Sequence, residues 1–170
     1  MIEMYLKKRH MTIYFYKANE PYGCFSNFSP HGIDLDGTYW ATVEHYYQAQ
    51  KFVGTANAEL IPTIQSVSTP EEAAALGRDR TRQLRPDWEQ VKTQVMQKAV
   101  LQKFLTHLEI QAILISTGDE CIVENSPTDY YWGCGRDRTG HNHLGRVLMS
   151  VRQEIRQQLA LPSLSNQIKD

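Results

Sequence analysis

The segment EHYYQAQK, Glu44 to Lys51, packs a carboxylate, a histidine, two tyrosines, two glutamines and a lysine into little more than two helical turns. At about 100° per residue, Glu44, Gln48 and Lys51 fall on one narrow stripe with Tyr47 at its edge, and Ala49, Phe52 and Val53 face the opposite way, toward a core. Glu44 sits in the first turn, where the helix dipole favours an ionised carboxylate. Such a carboxylate in a cleft orients water or stabilises a developing cation. A lysine two turns on binds an anion or, if desolvated, serves as a nucleophilic amine. The same spacing also describes an ordinary solvated helix face, and His45 reads as a core or capping histidine.

Two further stretches carry polar chemistry. GRDRTRQLR, Gly77 to Arg85, places arginines at 78, 80, 82 and 85 in a loop. Their planar forks suit phosphate, so Arg78 and Arg80 are candidates for a phosphate clamp. The alternative is a surface loop whose arginines pair with Asp79 and Asp87. DYYWGCGRDRTGHNHLG, Asp129 to Gly145, offers flat rings at Tyr130, Tyr131 and Trp132 and close backbone approach at Gly133. Asn142 is placed to cap a following helix, whose free amides could receive an anion. A structural loop holding a core tryptophan fits that stretch equally well, and Trp88 by itself reads as a core residue.

These residues need elements to hold them. TIYFY, from Thr12, is strand-like, and IDLDGTYW reads as a hairpin turning at Asp36-Gly37. Thr42 caps the helix of the opening segment, and Gly54 ends it. NAELIPTIQSV is helical, shortened or kinked by Pro62. Thr69-Pro70-Glu71-Glu72 forms a capping box with proline at the first helical position. The longest helix runs through DWEQVKTQVMQKAVLQKF. A helix over about 108–116, a strand over 121–124, a loop over 125–142 and a final amphipathic helix marked by Leu144, Val147, Leu148, Val151 and Ile155 complete the chain. The class is α+β, a single compact, mainly helical domain over 1–170 with a small β-sheet, and residues 1–11 and 161–170 read as flexible.

The chain has 170 residues, 41% of them hydrophobic, which suits one buried core. Eighteen basic and nineteen acidic residues leave a formal net charge of −1, so no whole-molecule field draws it to nucleic acid or membrane. Cys24, Cys121 and Cys134 lack the spacing of a zinc site and are odd in number for a disulfide framework. With no long apolar run, the expectation is a cytoplasmic protein without membrane association, bound metal or cofactor.

The order of the motifs is more specific than any one of them. YGCFSNFSP, WATVEHYYQAQKF, SVSTPEEAAALGRDR, LRPDWEQVKTQVMQKAVLQKF and DYYWGCGRDRTGHNHLGRVLM together resemble the NADAR family, in particular its YbiA-like bacterial members, over about residues 12–156. The resemblance implies an N-glycosidase without metal or redox cofactor. Its substrate would be a riboflavin-pathway ribosylaminopyrimidine 5′-phosphate, with ribose 5-phosphate released. The alternatives are removal of ADP-ribose from guanine, free or in nucleic acid, and a non-catalytic module that binds ADP-ribose or NAD.

Carried over residue by residue, the family's essential glutamate falls on Glu44, its functional tryptophans on Trp88 and Trp132, and its lysine on Lys51. That moves Trp88 from the core to a role sandwiching the heterocycle with Trp132. Some YbiA-like members carry an aspartate where Cys134 stands, so the acidic role passes to Asp137 or Asp129. Asp137 is preferred because relatives read Asp-Gly where this chain has Asp137-Arg138. Glu44, Lys51 and Asp137 are thus the catalytic candidates. Trp88, Trp132, Arg78, Arg80, Gln48, Tyr47, Gly133, Asp129 and Asn142 are the candidates for binding a phosphorylated ribosyl-amine.

Overall fold

A computed structural model describes residues 11–160. Most of the flexibility expected of 1–11 and 161–170 therefore concerns residues outside the described range. Met11, the one described residue among them, is exposed.

Helix α1, Val43–Gln50, starts where Thr42 adopts an extended conformation and its hydroxyl accepts the His45 amide at 3.3 Å. The helix is buried on every side: Glu44, His45 and Gln48 are as enclosed as Val43 and Ala49. A solvated face is therefore excluded. One side of α1 meets the core and the other forms the floor of a cleft. Phe52 is fully buried as expected, but Val53 is 42% exposed, because the chain has left the helix for turns that close at Gly54, φ +73°.

Helix α2, Leu60–Ser66, begins late enough to hold Pro62 in its first turn, where the missing amide costs no helical bond. Helix α3, Pro70–Gly77, carries the full capping box between Thr69 and Glu72. Helices α4, Trp88–Thr106, and α5, Leu108–Ser116, follow, then α6, His143–Ala160. The helix α1 packs against α2, α3 and α4, and α6 covers α4.

Two small sheets complete the architecture. Strands β2, Ile33–Leu35, and β3, Thr38–Trp40, pair antiparallel across Asp36 and Gly37, both at positive φ, as a two-residue hairpin turn requires. Strands β1, Thr12–Phe15, and β4, Cys121–Glu124, pair in parallel, so both release the chain at the same edge. The Asn125 amide extends the ladder onto the Phe15 carbonyl at 2.8 Å. The segments after these two strands, 16–19 and 126–132, both reach the cleft. Open sheets commonly place ligands at the carboxyl ends of parallel strands, where diverging loops leave a crevice.

Residues joining both sheets to the helices form one core, including Phe25, Ile33, Phe52, Phe104, Ile122 and Leu148. A fully buried lysine lies within it. Lys103 donates to the carbonyls of Cys24 at 2.8 Å and Ser26 at 2.9 Å and to the Ser29 hydroxyl at 3.1 Å. These bonds tie segment 24–29 to α4.

Candidate active site

The cleft measures about 940 Å³, at the upper end of ordinary small-molecule sites. Its floor is the polar side of α1. The Glu44 amide bonds the Asn27 carbonyl at 3.0 Å, and the Asn27 side-chain amide donates to Glu44 Oε2. Gln48 Nε2 donates to the other oxygen, Oε1, at 2.6 Å. Both carboxylate oxygens act as acceptors, the pattern that suits an ionised group. Burial pushes the Glu44 carboxyl above its ordinary value, opposed by the Gln48 bond, the charges of Arg78 and Lys51, and the Asn27 bond.

Gly77 is the reason Gln48 fits. A Cβ there would lie 2.0 Å from Gln48 Oε1 and 2.8 Å from Gln48 Cβ. The Gly77 carbonyl accepts Lys51 Nζ at 2.9 Å. Lys51 is buried, 5.6 Å from the Tyr47 ring centroid and 5.8 Å from that of Trp88. Burial pulls its amine down to about 8, with Glu44 resisting and Arg78 and Lys92 assisting.

Arg78, which caps the end of α3, lines the cleft beside Lys51. Arg80 does not. It lines an adjoining recess of about 560 Å³ with Lys51, Gly77, Arg78, Asp79, Arg82 and Leu84. The four arginines therefore divide. Arg82 pairs with Asp79 at 3.4 Å and Arg85 grips Asp87 in two bonds of 2.6 and 2.9 Å, while Arg78 and Arg80 face the two hollows.

The aromatic arrangement differs from a two-tryptophan sandwich. Tyr47 stands between them, 5.0 Å from Trp88 and 5.5 Å from Trp132 by ring centroids. Tyr47 and Trp132 line the cleft, whereas Trp88 is 5% exposed and stands one ring back, its bulk filling the core that supports Tyr47 and Lys51. Asp129 lines the cleft and spends Oδ1 on the amides of Tyr131 at 2.8 Å and Trp132 at 2.7 Å, which orients the aromatic loop.

Three candidates lie elsewhere. Asp137 is exposed, binds the Thr139 amide and hydroxyl, and is not a cleft residue, so the leaving-group role expected of it has no geometric basis. Its charge is spent stabilising its own turn. Asn142, at φ +52°, lays its side chain against Gly145 in the first turn of α6 but spends its hydrogen bonds elsewhere. It accepts the Glu124 amide and donates to the Ile122 carbonyl, both at 2.9 Å, fastening the loop to β4. Gly133 packs its α-carbon against Ser126 and the carbonyls of Asp129 and Glu124 instead of a ligand.

The sequence matches the NADAR domain over residues 14–156. The chain belongs to the NADAR family. Among NADAR relatives, an N-glycosidase of Nostoc punctiforme is 67% identical over 91% of this chain and 99% of its own length. The N-glycosidase YbiA of Escherichia coli is 46% identical over 84% and 88%. A chloroplastic riboflavin biosynthesis protein of Zea mays is 46% identical over 84% of this chain, but the match spans only 25% of that protein. The NMR structure of the Escherichia coli protein YbiA superposes with a TM-score of 0.79 at 42% identity, covering 91% of this chain and 94% of that one.

The NADAR cleft also contains residues that the sequence reading passed over. Asn27 stands in the YGCFSNFSP motif, yet nothing local said that its amide reaches residue 44. Glu124 ends β4 and appeared only as a strand terminus. Its side chain lines the cleft and its Oε2 is buried with no hydrogen-bond partner. Among the described residues no group of three His, Cys, Asp or Glu side chains is arranged to hold a metal ion, and no helix is long and apolar enough to cross a membrane.

Proposed function

We infer that the protein is an N-glycosidase acting on a ribose that carries a 5′-phosphate and is joined through an exocyclic amine to a heterocycle. Relatives at 67% and 46% identity, both named N-glycosidases, support the enzyme class. The proposed substrate is a riboflavin-pathway ribosylaminopyrimidine 5′-phosphate, a reading supported by the maize relative named for riboflavin biosynthesis. One observation carries the chemistry. Glu44 lies buried on the cleft floor with each oxygen held by a side-chain amide, and cations and aromatic rings share that cleft.

Cleaving such a bond builds positive charge at C1′ and negative charge on the departing nitrogen. In this reading Glu44 faces C1′, stabilises the cation and takes a proton from the attacking water. Trp132 and Tyr47 hold the heterocycle, with Trp88 as their backing. Arg78 and Lys51 meet the phosphate. A second role for Lys51 is attack on C1′ of the ring-opened sugar to form a Schiff base, and its lowered pKa supplies neutral amine near pH 8. Borohydride added during turnover traps an adduct on Lys51 if the route is covalent.

A second substrate reading rests on the adjoining recess. Arg78 borders both hollows and Arg80 only the recess, so a second phosphate beyond the first has a cationic place to sit. That arrangement favours ADP-ribose on guanine. Offering the enzyme both the ribosylaminopyrimidine phosphate and ADP-ribosylguanine, and following the freed base, separates the two. Glu44→Gln should abolish release of either base without unfolding the chain. Near-normal turnover by that variant would overturn the reading.

A further inference from the structure

The reaction needs a proton donor for the departing amine. Asp137 lies outside the cleft, and Asp129, the other candidate for the acidic role, lines the cleft but is committed as an acceptor, its Oδ1 taking the amides of Tyr131 and Trp132. The cleft holds a second deep carboxyl group besides Glu44. Glu124 sits at the last position of β4, register partner of Phe15, with its backbone pinned on both sides. Its amide donates to Asn142 Oδ1 at 2.9 Å, and its carbonyl accepts the Cys134 amide at 2.9 Å. The side chain is thereby aimed into the cleft from a fixed strand end, yet its buried Oε2 meets no donor. A lone carboxylate oxygen left so is costly, and the cost falls when that oxygen carries a proton, because a neutral carboxyl group is far cheaper to bury than an ionised one.

The surroundings of the two carboxyl groups differ in kind. Glu44 has a side-chain amide on each oxygen and feels Arg78 and Lys51. Glu124 is desolvated and feels the negative charges of Asp129 and Glu44, which drives its carboxyl up to about 8. The charged groups around this cleft are Lys17, Glu44, Lys51, Glu71, Arg78 and Asp129. A pair of acids whose environments push them apart divides acid and base work between them.

We propose that Glu124 is the general acid of the reaction, donating the proton of its buried carboxyl to the exocyclic nitrogen as the C1′–N bond breaks and the bonding electron pair passes to nitrogen. Water then adds to C1′ and gives its proton to Glu44. Ribose phosphate and the free amine leave, and solvent carries one proton from Glu44 back to Glu124. This rests on the N-glycosidase reading above. It also accounts for Asp129, which orients the aromatic loop and keeps Glu124 protonated by its charge.

The test uses two substrates, the ribosylaminopyrimidine 5′-phosphate and 4-nitrophenyl ribofuranoside 5-phosphate, whose phenolate departs without a proton. Glu124→Gln should lower kcat on the amine substrate at least about 100-fold with little change in KM, and leave the nitrophenyl substrate within a few-fold of wild type. Glu124→Asp should recover part of the loss. Equal losses on both substrates would overturn the acid role. If Glu124→Gln does not fold, the wild type decides: the alkaline limb of kcat/KM should lie at lower pH for the amine than for the nitrophenyl substrate, and coincident limbs refute the proposal. Should wild-type enzyme release ribose phosphate from neither substrate, the N-glycosidase reading itself falls and takes this one with it.

Discussion

Replacing Gly77 by alanine tests whether helix packing, more than the identity of Glu44, makes the site. The added methyl carbon would stand 2.0 Å from Gln48 Oε1, 2.7 Å from Gln48 Cδ and 2.8 Å from Gln48 Cβ. The amide tip could swing aside, but Cβ is fixed to the backbone of α1, so α1 and α3 must also separate. Either movement breaks the 2.6 Å bond from Gln48 to Glu44. A hydrogen bond to a charged group contributes about 1.5–3 kcal/mol, and overpacking costs about 1–3 kcal/mol. Helix propensity returns about 1 kcal/mol to alanine over glycine. The expected net destabilisation is roughly 2–4 kcal/mol, with kcat down about 10- to 100-fold because Glu44 loses one of its two orienting donors. Without that bond the Glu44 carboxyl rises further, so the acidic limb of the pH–rate profile should move to higher pH. Chemical denaturation and ribose 5-phosphate release across pH measure both effects. A variant as stable as wild type with an unmoved acidic limb would refute the reasoning.

Three other outcomes follow from the same geometry. Lys103→Met strips segment 24–29 of its three bonds to α4, leaving the Cys24 and Ser26 carbonyls only the Ser29 hydroxyl at 3.4 Å and the Ser29 amide at 3.1 Å, and should cost about 2–4 kcal/mol in denaturant melts while lowering kcat through Asn27; unchanged values would dismiss the anchoring role. Glu124, raised when folded from 4.5 to about 8, binds more protons in the native state between those values, so its contribution is full below about pH 4.5 and is lost as pH climbs through about 8. Glu124→Gln should therefore lessen the fall in stability between pH 5 and pH 8, by up to about 3 kcal/mol, and an identical fall in both proteins would contradict it. Trp132→Ala should raise KM strongly, whereas Trp88→Phe should mainly lower the melting temperature; the opposite pattern would return Trp88 to the substrate.

Local order was largely legible in the chain. Thr42, Thr69 with Glu72, and Asp36-Gly37 each act within four residues, through backbone amides and dihedral preferences that their own side chains satisfy. For that reason the helix starts and the hairpin emerged where their residues stood. The ordered motifs likewise pointed to the family, and Glu44, Gln48, Lys51, Arg78 and Trp132 do meet in one cleft. Periodicity misled at α1, since polar spacing is the same whether a face meets water or a ligand cleft. Only packing against α2, α3 and α4 distinguishes the two.

What tertiary structure alone decided is the company each group keeps. Asn27 reaches Glu44 across 17 positions, Gly77 carries Lys51 across 26, and parallel pairing of β1 with β4 delivers Glu124 to the same hollow. Side-chain type sets what a carboxyl group can do, and the chain states that directly. Whether it holds its proton depends on donors, charges and water brought or excluded by distant segments. That is why the sequence by itself named Glu44 and placed the second acid at Asp137, while the fold set Asp137 in solvent and turned Glu124 inward.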